Sequence, residues 1–330
     1  MKLRSKISSL LLSATLIVAM ATPISIIETD AAEVNLSMIQ GVNFLPWLDS
    51  QDPYNEKSLT MIAELGFNTI RIPIHWETYE LLGVEYVNTI EQIVKQAQNE
   101  GLYVIIDNHQ WQTSSEFGGL GFPSHVIPYY SKDREIKFWG DFLANKNYLW
   151  SKQWSYFKQF VQRLEKYDNV LGFEILNEPR IYAETQFTQL GRYHTFMAKK
   201  IDGISDKLIF FDRPAYKVYQ PPNSIIVDLE IKVIPNGVPK NRLVYAPHSY
   251  GELGNDPFKK IKEEAAIWHV PILIGEFGDP SRVPLFEQNG FGWLAWGWGA
   301  AAVVYALVHY ENGEVVPTQY LNDLIQVMND

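Results

Sequence analysis

The chain has 330 residues, 28 basic and 38 acidic side chains, a formal charge of −10, no cysteine and 14% aromatic residues. The acidic balance argues against a polyanionic partner such as nucleic acid. The lack of cysteine rules out disulfides and thiolate metal sites, so the fold must be held by its core alone.

The chain starts with the features of an export signal. Lys2, Arg4 and Lys6 are followed by an apolar stretch over 7–18, then by the small-x-small site Ala19-Met20-Ala21. Ala31-Ala32 is a later candidate for cleavage. This reading predicts a secreted protein, with 1–21 (or 1–32) removed and 22–36 a linker. The alternative is an uncleaved membrane anchor. No later segment is apolar for long enough to span a bilayer.

From residue 37 a rhythm sets in. Residues 38–44 read as a strand ending near Asn43, with Trp47 just beyond. Leu59, Ile62, Ala63 and Leu65 have helical spacing, closed by Gly66. Residues 68–74 (NTIRIPI) form the next strand. Ile90, Ile93, Val94 and Ala97 repeat the helical spacing, and Gly101 precedes a strand over 102–107 (LYVIID). A helix, a glycine and an apolar strand in recurrence describe βα units with parallel strands. Residues 108–150, rich in Gly, Pro, Ser and aromatic side chains, are too long for an ordinary connection and predict an elaborated loop. Helical spacing resumes at Trp154, Phe157, Phe160, Val161 and Leu164. The apolar run 171–176, interrupted by Glu174, then stops at Asn177-Glu178-Pro179. Further strands are expected over 207–211, 242–246, 271–274 and 291–298, with helices over 189–204, 257–268 and 320–328. Eight parallel strands alternating with helices predict an α/β fold, a single-domain (β/α)8 TIM barrel over 37–330. The alternative, an open doubly wound sheet, lacks a Gly-rich phosphate loop after the first strand.

In such a barrel the C-terminal strand ends converge on one site. They carry Arg71, Asp107-Asn108-His109, Asn177-Glu178, His248, Tyr250, Glu276 and Trp296. Two glutamates facing each other across a barrel mouth suit glycosidic cleavage, where one carboxyl donates a proton and the other acts as base or nucleophile. Each residue alone has a structural reading: Arg71 as a salt bridge, His109 and His248 as rim histidines. Glu174 is expected to be structural and paired to a basic residue. His75, His125, His194, His269 and His309 show no metal spacing and receive no role. The run Glu263-Glu264 reads as a solvated helix face.

The segments GVNF at 41–44, RIPIHW at 71–76, DNH at 107–109, ILNEP at 175–179, APHSY at 246–250, IGEFG at 274–278 and GWLAW at 292–296 occur in order, each at a strand end. Together they make the chain resemble glycoside hydrolase family 5, of the large clan of retaining (β/α)8 glycosidases. The resemblance implies Glu178 as acid/base and Glu276 as nucleophile. It implies that Asn177 bonds the sugar 2-hydroxyl and helps hold the nucleophile, and that Arg71 and Tyr250 bond Glu276. His109 and His248 would line the central subsite over Trp296, with Trp298 the alternative stacking ring. These roles require Glu178 to be protonated and Glu276 ionised at working pH. No cofactor and no metal are expected.

The substrate is less legible. HQ at 109–110 with FGGLGFP at 117–123 resembles the endoglycoceramidase-like branch, whereas GWLAWGWG at 292–299 resembles endoglucanases and β-mannanases. Trp111, Phe117, Tyr129, Tyr130 and Trp139 could stack sugars, cover an apolar aglycone or pack their own loop. The expectation is a monomeric endo-β-1,4-glucanase acting on β-linked polysaccharide or oligosaccharide. A β-mannanase and a glycolipid hydrolase are the alternatives. A catalytically dead carbohydrate-binding barrel would not need both glutamates. A metal-dependent barrel hydrolase would need clustered His and Asp.

Overall fold

The computed structural model describes residues 35–45, 56–127, 133–214, 231–251, 258–299 and 305–329. The expected leader and linker up to residue 34, Trp47, Tyr129 and Tyr130 lie outside these residues.

Nine short strands form one sheet: β1 (Gln40–Phe44), β2 (Thr69–Ile74), β3 (Tyr103–Asn108), β4 (Val170–Glu174), β5 (Leu208–Phe211), β6 (Leu243–Tyr245), β7 (His248–Ser249), β8 (Leu273–Phe277) and β9 (Gly292–Trp298). Their order is β6-β5-β4-β3-β2-β1-β9-β8-β7, and all neighbouring pairs are parallel. The two edges, β6 and β7, are consecutive in the chain. They are one barrel strand interrupted at Ala246-Pro247, and a parallel bridge from Tyr245 to Ile272 closes the ring. The result is the (β/α)8 barrel expected from the sequence.

The helices follow from the same apolar spacing. Among them α1 (Glu56–Glu64), α2 (Trp76–Leu82), α3 (Val84–Asn99), α4 (Arg134–Leu143), α5 (Leu149–Leu164), α6 (Thr185–Asp202), α7 (Lys259–Trp268), α8 (Val283–Gln288) and α9 (Gln319–Asn329) are described. On α3 the buried residues Tyr86, Val87, Ile90, Ile93, Val94 and Ala97 form one stripe, the face that packs on the strands. A hairpin of Val308–Glu311 with Glu314–Pro317 was not expected from the pattern. Glu264 also departs from expectation. It is fully buried and accepts from the Tyr245 hydroxyl at 2.6 Å, whereas Glu263 is exposed. On a helix wrapped around a barrel, adjacent residues point about 100° apart, so one of the pair turns inward.

The barrel interior is layered. Ile105, Leu208, Phe210, Val244, Leu273 and Leu294 belong to a small apolar cluster separate from the main core between strands and helices. Because side chains alternate along a strand, the next inward positions toward the C-terminal ends include Asp107 after Ile105 and Asp212 after Phe210. An apolar plug therefore closes the barrel below, and polar groups are stacked on it. Among the described residues no helix is long and apolar enough to cross a membrane.

Candidate active site

Strand register brings the charged groups together. Asn43 pairs with Arg71 across β1 and β2, Asp107 with Glu174 across β3 and β4, and His248 with Glu276 across β7 and β8. Paired residues of parallel neighbours project to the same side.

Arg71 is the hub and is fully buried. It donates through Nε and Nη2 to the two Glu174 oxygens at 2.7 and 2.9 Å. Nη1 donates to Asn43 Oδ1 at 2.7 Å and to Glu276 Oε1 at 2.9 Å. Nη2 also reaches Asn177 Oδ1 at 2.8 Å and Asp107 Oδ2 at 2.9 Å. Burial disfavours the charge, but Asp107, Glu174 and Glu276 outweigh it and raise the Arg71 pKa further. Glu174 is thus paired to a basic residue, as expected. Glu276 lies at the end of β8 and also accepts from the Tyr250 hydroxyl at 3.1 Å. The Asn177 side chain is fixed by Arg71 and donates through Nδ2 to the Gln110 carbonyl at 2.9 Å.

Glu178 follows β4 in an unusual backbone state, φ 38°. A non-glycine residue there costs energy and must be held by its surroundings. Gln110 Nε2 donates to the carbonyls of Asn177 and Glu178 at 2.6 and 2.9 Å, and Asp212 Oδ2 accepts from the Glu178 N–H at 3.0 Å. The clamp turns the Glu178 carboxylate toward His248, whose Nδ1 lies 3.0 Å from Glu178 Oε1 and 3.3 Å from Glu276 Oε2. On its other side His248 Nε2 faces Asp212 at 3.6 Å. One ligand atom each from Glu178, His248 and Glu276 falls within 4.8 Å of the others.

His109 completes the floor. Its Nδ1 is 2.6 Å from Asp107 Oδ2, and its ring stacks on Trp296 with centroids 5.6 Å apart and planes 15° apart. Trp296 is partly exposed in the mouth, while Trp298 is fully buried in the core. Of the two candidate stacking rings, Trp296 is the one a sugar could reach.

The electrostatics differ from the expectation of a protonated Glu178 beside an ionised Glu276. Burial would raise Glu178, but the hydrogen bond and charge of His248, then His109 and Arg180, hold it down at about 2. Burial pushes Glu276 up to about 8 against the pull of His248 and Arg71, helped by the charges of Glu178 and Asp107. Burial also lifts Asp107 to about 6 and Asp212 to about 7. His248 rises to about 10 because Asp212, Glu276 and Glu178 outweigh its desolvation. The cause is a count of charges. Two cations, Arg71 and His248, face five carboxyl groups in a dry space, so the carboxyls cannot all be ionised and must share protons. The two catalytic candidates are shifted in opposite directions, Glu178 down and Glu276 up.

The same three groups that could reach a cation are Glu178, His248 and Glu276. A metal ligand must be a neutral imidazole, and His248 is held protonated. The imidazolium places positive charge between the two carboxyls.

Three participants had no role in the sequence reading. Asn43 and Asp212 end β1 and β5, so the strand-end rule that found the others would have found them. Gln110 follows His109 in a loop, and nothing in its local sequence signals that it holds the backbone of Glu178.

A parallel (β/α)8 barrel with two carboxyls facing each other at its C-terminal mouth defines a class of sugar-processing enzyme. The chain belongs to the family described as Cellulase (glycosyl hydrolase family 5), whose sequence profile matches residues 27–302, and it is a glycoside hydrolase. It is 23% identical to endoglycoceramidase I of Rhodococcus hoagii, over 85% of this chain and 69% of that protein. It is 28% identical to endoglucanase B of Ruminococcus albus, over 42% of this chain and 29% of that longer protein. The fold is shared with endo-glycoceramidase II from Rhodococcus sp. at a TM-score of 0.66, with 17% identity and coverage of 87% and 78% of the two chains.

Proposed function

We propose that this protein is an exported, retaining β-glycoside hydrolase in which Glu276 is the nucleophile and Glu178 the acid/base. One observation carries the reading: the Glu178 and Glu276 carboxyls approach within 4.8 Å, oxygen to oxygen. That leaves no room for the water an inverting enzyme needs, and it matches the separation of about 5–5.5 Å between carboxyl groups in retaining enzymes. Glu276 forms a bond to the anomeric carbon as the glycosidic bond breaks, and Glu178 gives its proton to the leaving oxygen. Water then attacks the same carbon, Glu178 takes the water proton, and Glu276 is released as a carboxylate. The Glu178–Glu276 pair titrates as a unit and holds one shared proton, the count this chemistry needs. His248 Nδ1, within 3.0 and 3.3 Å of the two carboxyls, bridges the pair.

The substrate we infer is a β-glucosyl linkage, as in a β-1,4-glucan. A glycolipid is the second reading, favoured by a likeness to an endoglycoceramidase that runs over 85% of the chain. Trp111, 39% exposed, follows Gln110 in the chain and offers apolar surface on that loop. The test is a panel of carboxymethyl-cellulose, lichenan, mannan, xylan and a glucosylceramide, with the first-formed anomer followed by NMR. A β-product from one of the first two or from the glucosylceramide is expected. An α-product would overturn the retaining mechanism, and cleavage of mannan or xylan alone would overturn the glucosyl assignment.

A further inference from the structure

His75 is the first residue beyond β2 and stands at the start of α2 without capping it through its side chain. It is only 6% exposed. Its ring lies 5.6 Å from His109 at 52°, and His109 in turn lies against Trp296, so the three rings extend the floor of the site sideways. A buried imidazole ordinarily uses at least one of its nitrogens. His194 gives Nδ1 to the Val233 carbonyl at 2.7 Å, and His109 gives Nδ1 to Asp107. Among the described residues neither ring nitrogen of His75 has a hydrogen-bond partner, and neither is among the polar atoms sealed from solvent. An unpartnered polar group this deeply held is costly unless something polar reaches it.

Burial and the neighbouring His109 hold the His75 pKa down at about 3, so the ring is neutral, with one N–H donor and one lone pair. A hydroxyl, which both donates and accepts, matches that pair. A carboxylate or a cation does not. Position gives the side. The leaving group lies by Glu178, at the ends of β4 and β5, whereas His75 stands at the end of β2, beyond His109 at the end of β3 and on the side of the mouth that leads to Trp296 on β9.

We propose that His75 binds a hydroxyl of the sugar ring next to the one seated at Trp296, on the glycone side, and so selects for a glycone of at least two sugars. This rests on the glycosidase reading above and assigns a substrate-selecting residue to it.

His75→Phe keeps the ring and its contact with His109 but removes both nitrogens. For a nitrophenyl β-cellobioside, kcat/KM is expected to fall about tenfold, mainly through KM, the equivalent of one lost hydrogen bond. For the matching nitrophenyl β-glucoside, which carries the same leaving group, it should change less than about twofold. His75→Asn should recover part of the loss, and Tm should stay within a few degrees in both variants. Equal losses on the two glycosides, or no loss on the cellobioside, would overturn the assignment. If the wild-type enzyme cleaves neither glycoside nor any glycan of the panel, the proposed function fails first. Cellobiose binding by calorimetry then decides His75: weaker binding to His75→Phe supports it, and equal or undetectable binding overturns it.

Discussion

Glu276 competes with Asp107 and Glu174 for one guanidinium, and Glu178 faces the imidazolium that all its acidic neighbours help to charge. Removing the nucleophile should therefore abolish turnover without unfolding the chain. Glu276→Ala is expected to lower kcat at least a thousandfold, while circular dichroism still shows the wild-type spectrum; substantial residual activity would exclude the assigned role. His248→Phe tests the coupling. Without the imidazolium, the first carboxyl of the pair loses the charge that holds Glu178 near 2, so it ionises at higher pH. The acid limb of the kcat/KM profile should move upward, and an unmoved limb would show that His248 does not set it. Because double displacement between two carboxyls needs no metal, incubation with a chelator should leave activity unchanged. Loss reversed by added metal would contradict this.

The elements around the site act through backbone position. Glu77 on α2 accepts from the Ser115 N–H and hydroxyl at 3.1 and 2.9 Å and from the Gly121 N–H at 2.6 Å. It ties down the loop that carries Gln110. Gly121 is required twice over: its φ is 102°, and a Cβ there would lie 2.5 Å from the His109 carbonyl oxygen and 2.6 Å from the Gln110 Cα. Gly121→Ala should push Gln110 away from the Glu178 carbonyl and release the strained φ of Glu178. The expected result is a loss of kcat of tenfold or more with a modest fall in Tm, the left-handed backbone alone costing about 1–2 kcal/mol. Glu77→Ala should give a milder form of the same phenotype, measurable as loop proteolysis at a fixed temperature. Wild-type kcat in Gly121→Ala would show that the clamp is dispensable.

For the whole molecule, the buried titrating groups predict how stability varies with pH. Glu276 at about 8, Asp212 at about 7 and Asp107 at about 6 are raised above their unfolded values. Each contributes stability fully present below the unfolded pKa and lost as pH rises through the folded one. His248, raised to about 10, acts in the same direction at higher pH. On the acid side, His75 at about 3 and His194 at about 4 are lowered, so the unfolded chain binds more protons and stability falls as pH drops below about 6.5. Thermal stability should therefore peak in mildly acid solution and decline steadily toward pH 10. Glu276→Gln should flatten the part of that decline lying between about 4.5 and 8. A stability maximum above pH 8 would contradict the assignment of buried, proton-sharing carboxyls.

Much of this was legible in the chain itself. Periodic apolar residues closed by Gly66 and Gly101, and strands ending in Arg71, Glu178 and Glu276, specify a barrel and the rim of its site, because in parallel βα units the strand ends must gather at one face. Glu174 could be read as paired because a carboxyl within an apolar run has to meet a cation. The distances, the clamp of Gln110 and Asp212 on Glu178, the inward turn of Glu264, the choice of Trp296 over Trp298, and the opposite pKa shifts of Glu178 and Glu276 were decided by tertiary structure. Each depends on which side chains from distant segments share a dry volume. A pKa follows from that whole set of neighbours, and residue type and spacing fix only some of its members.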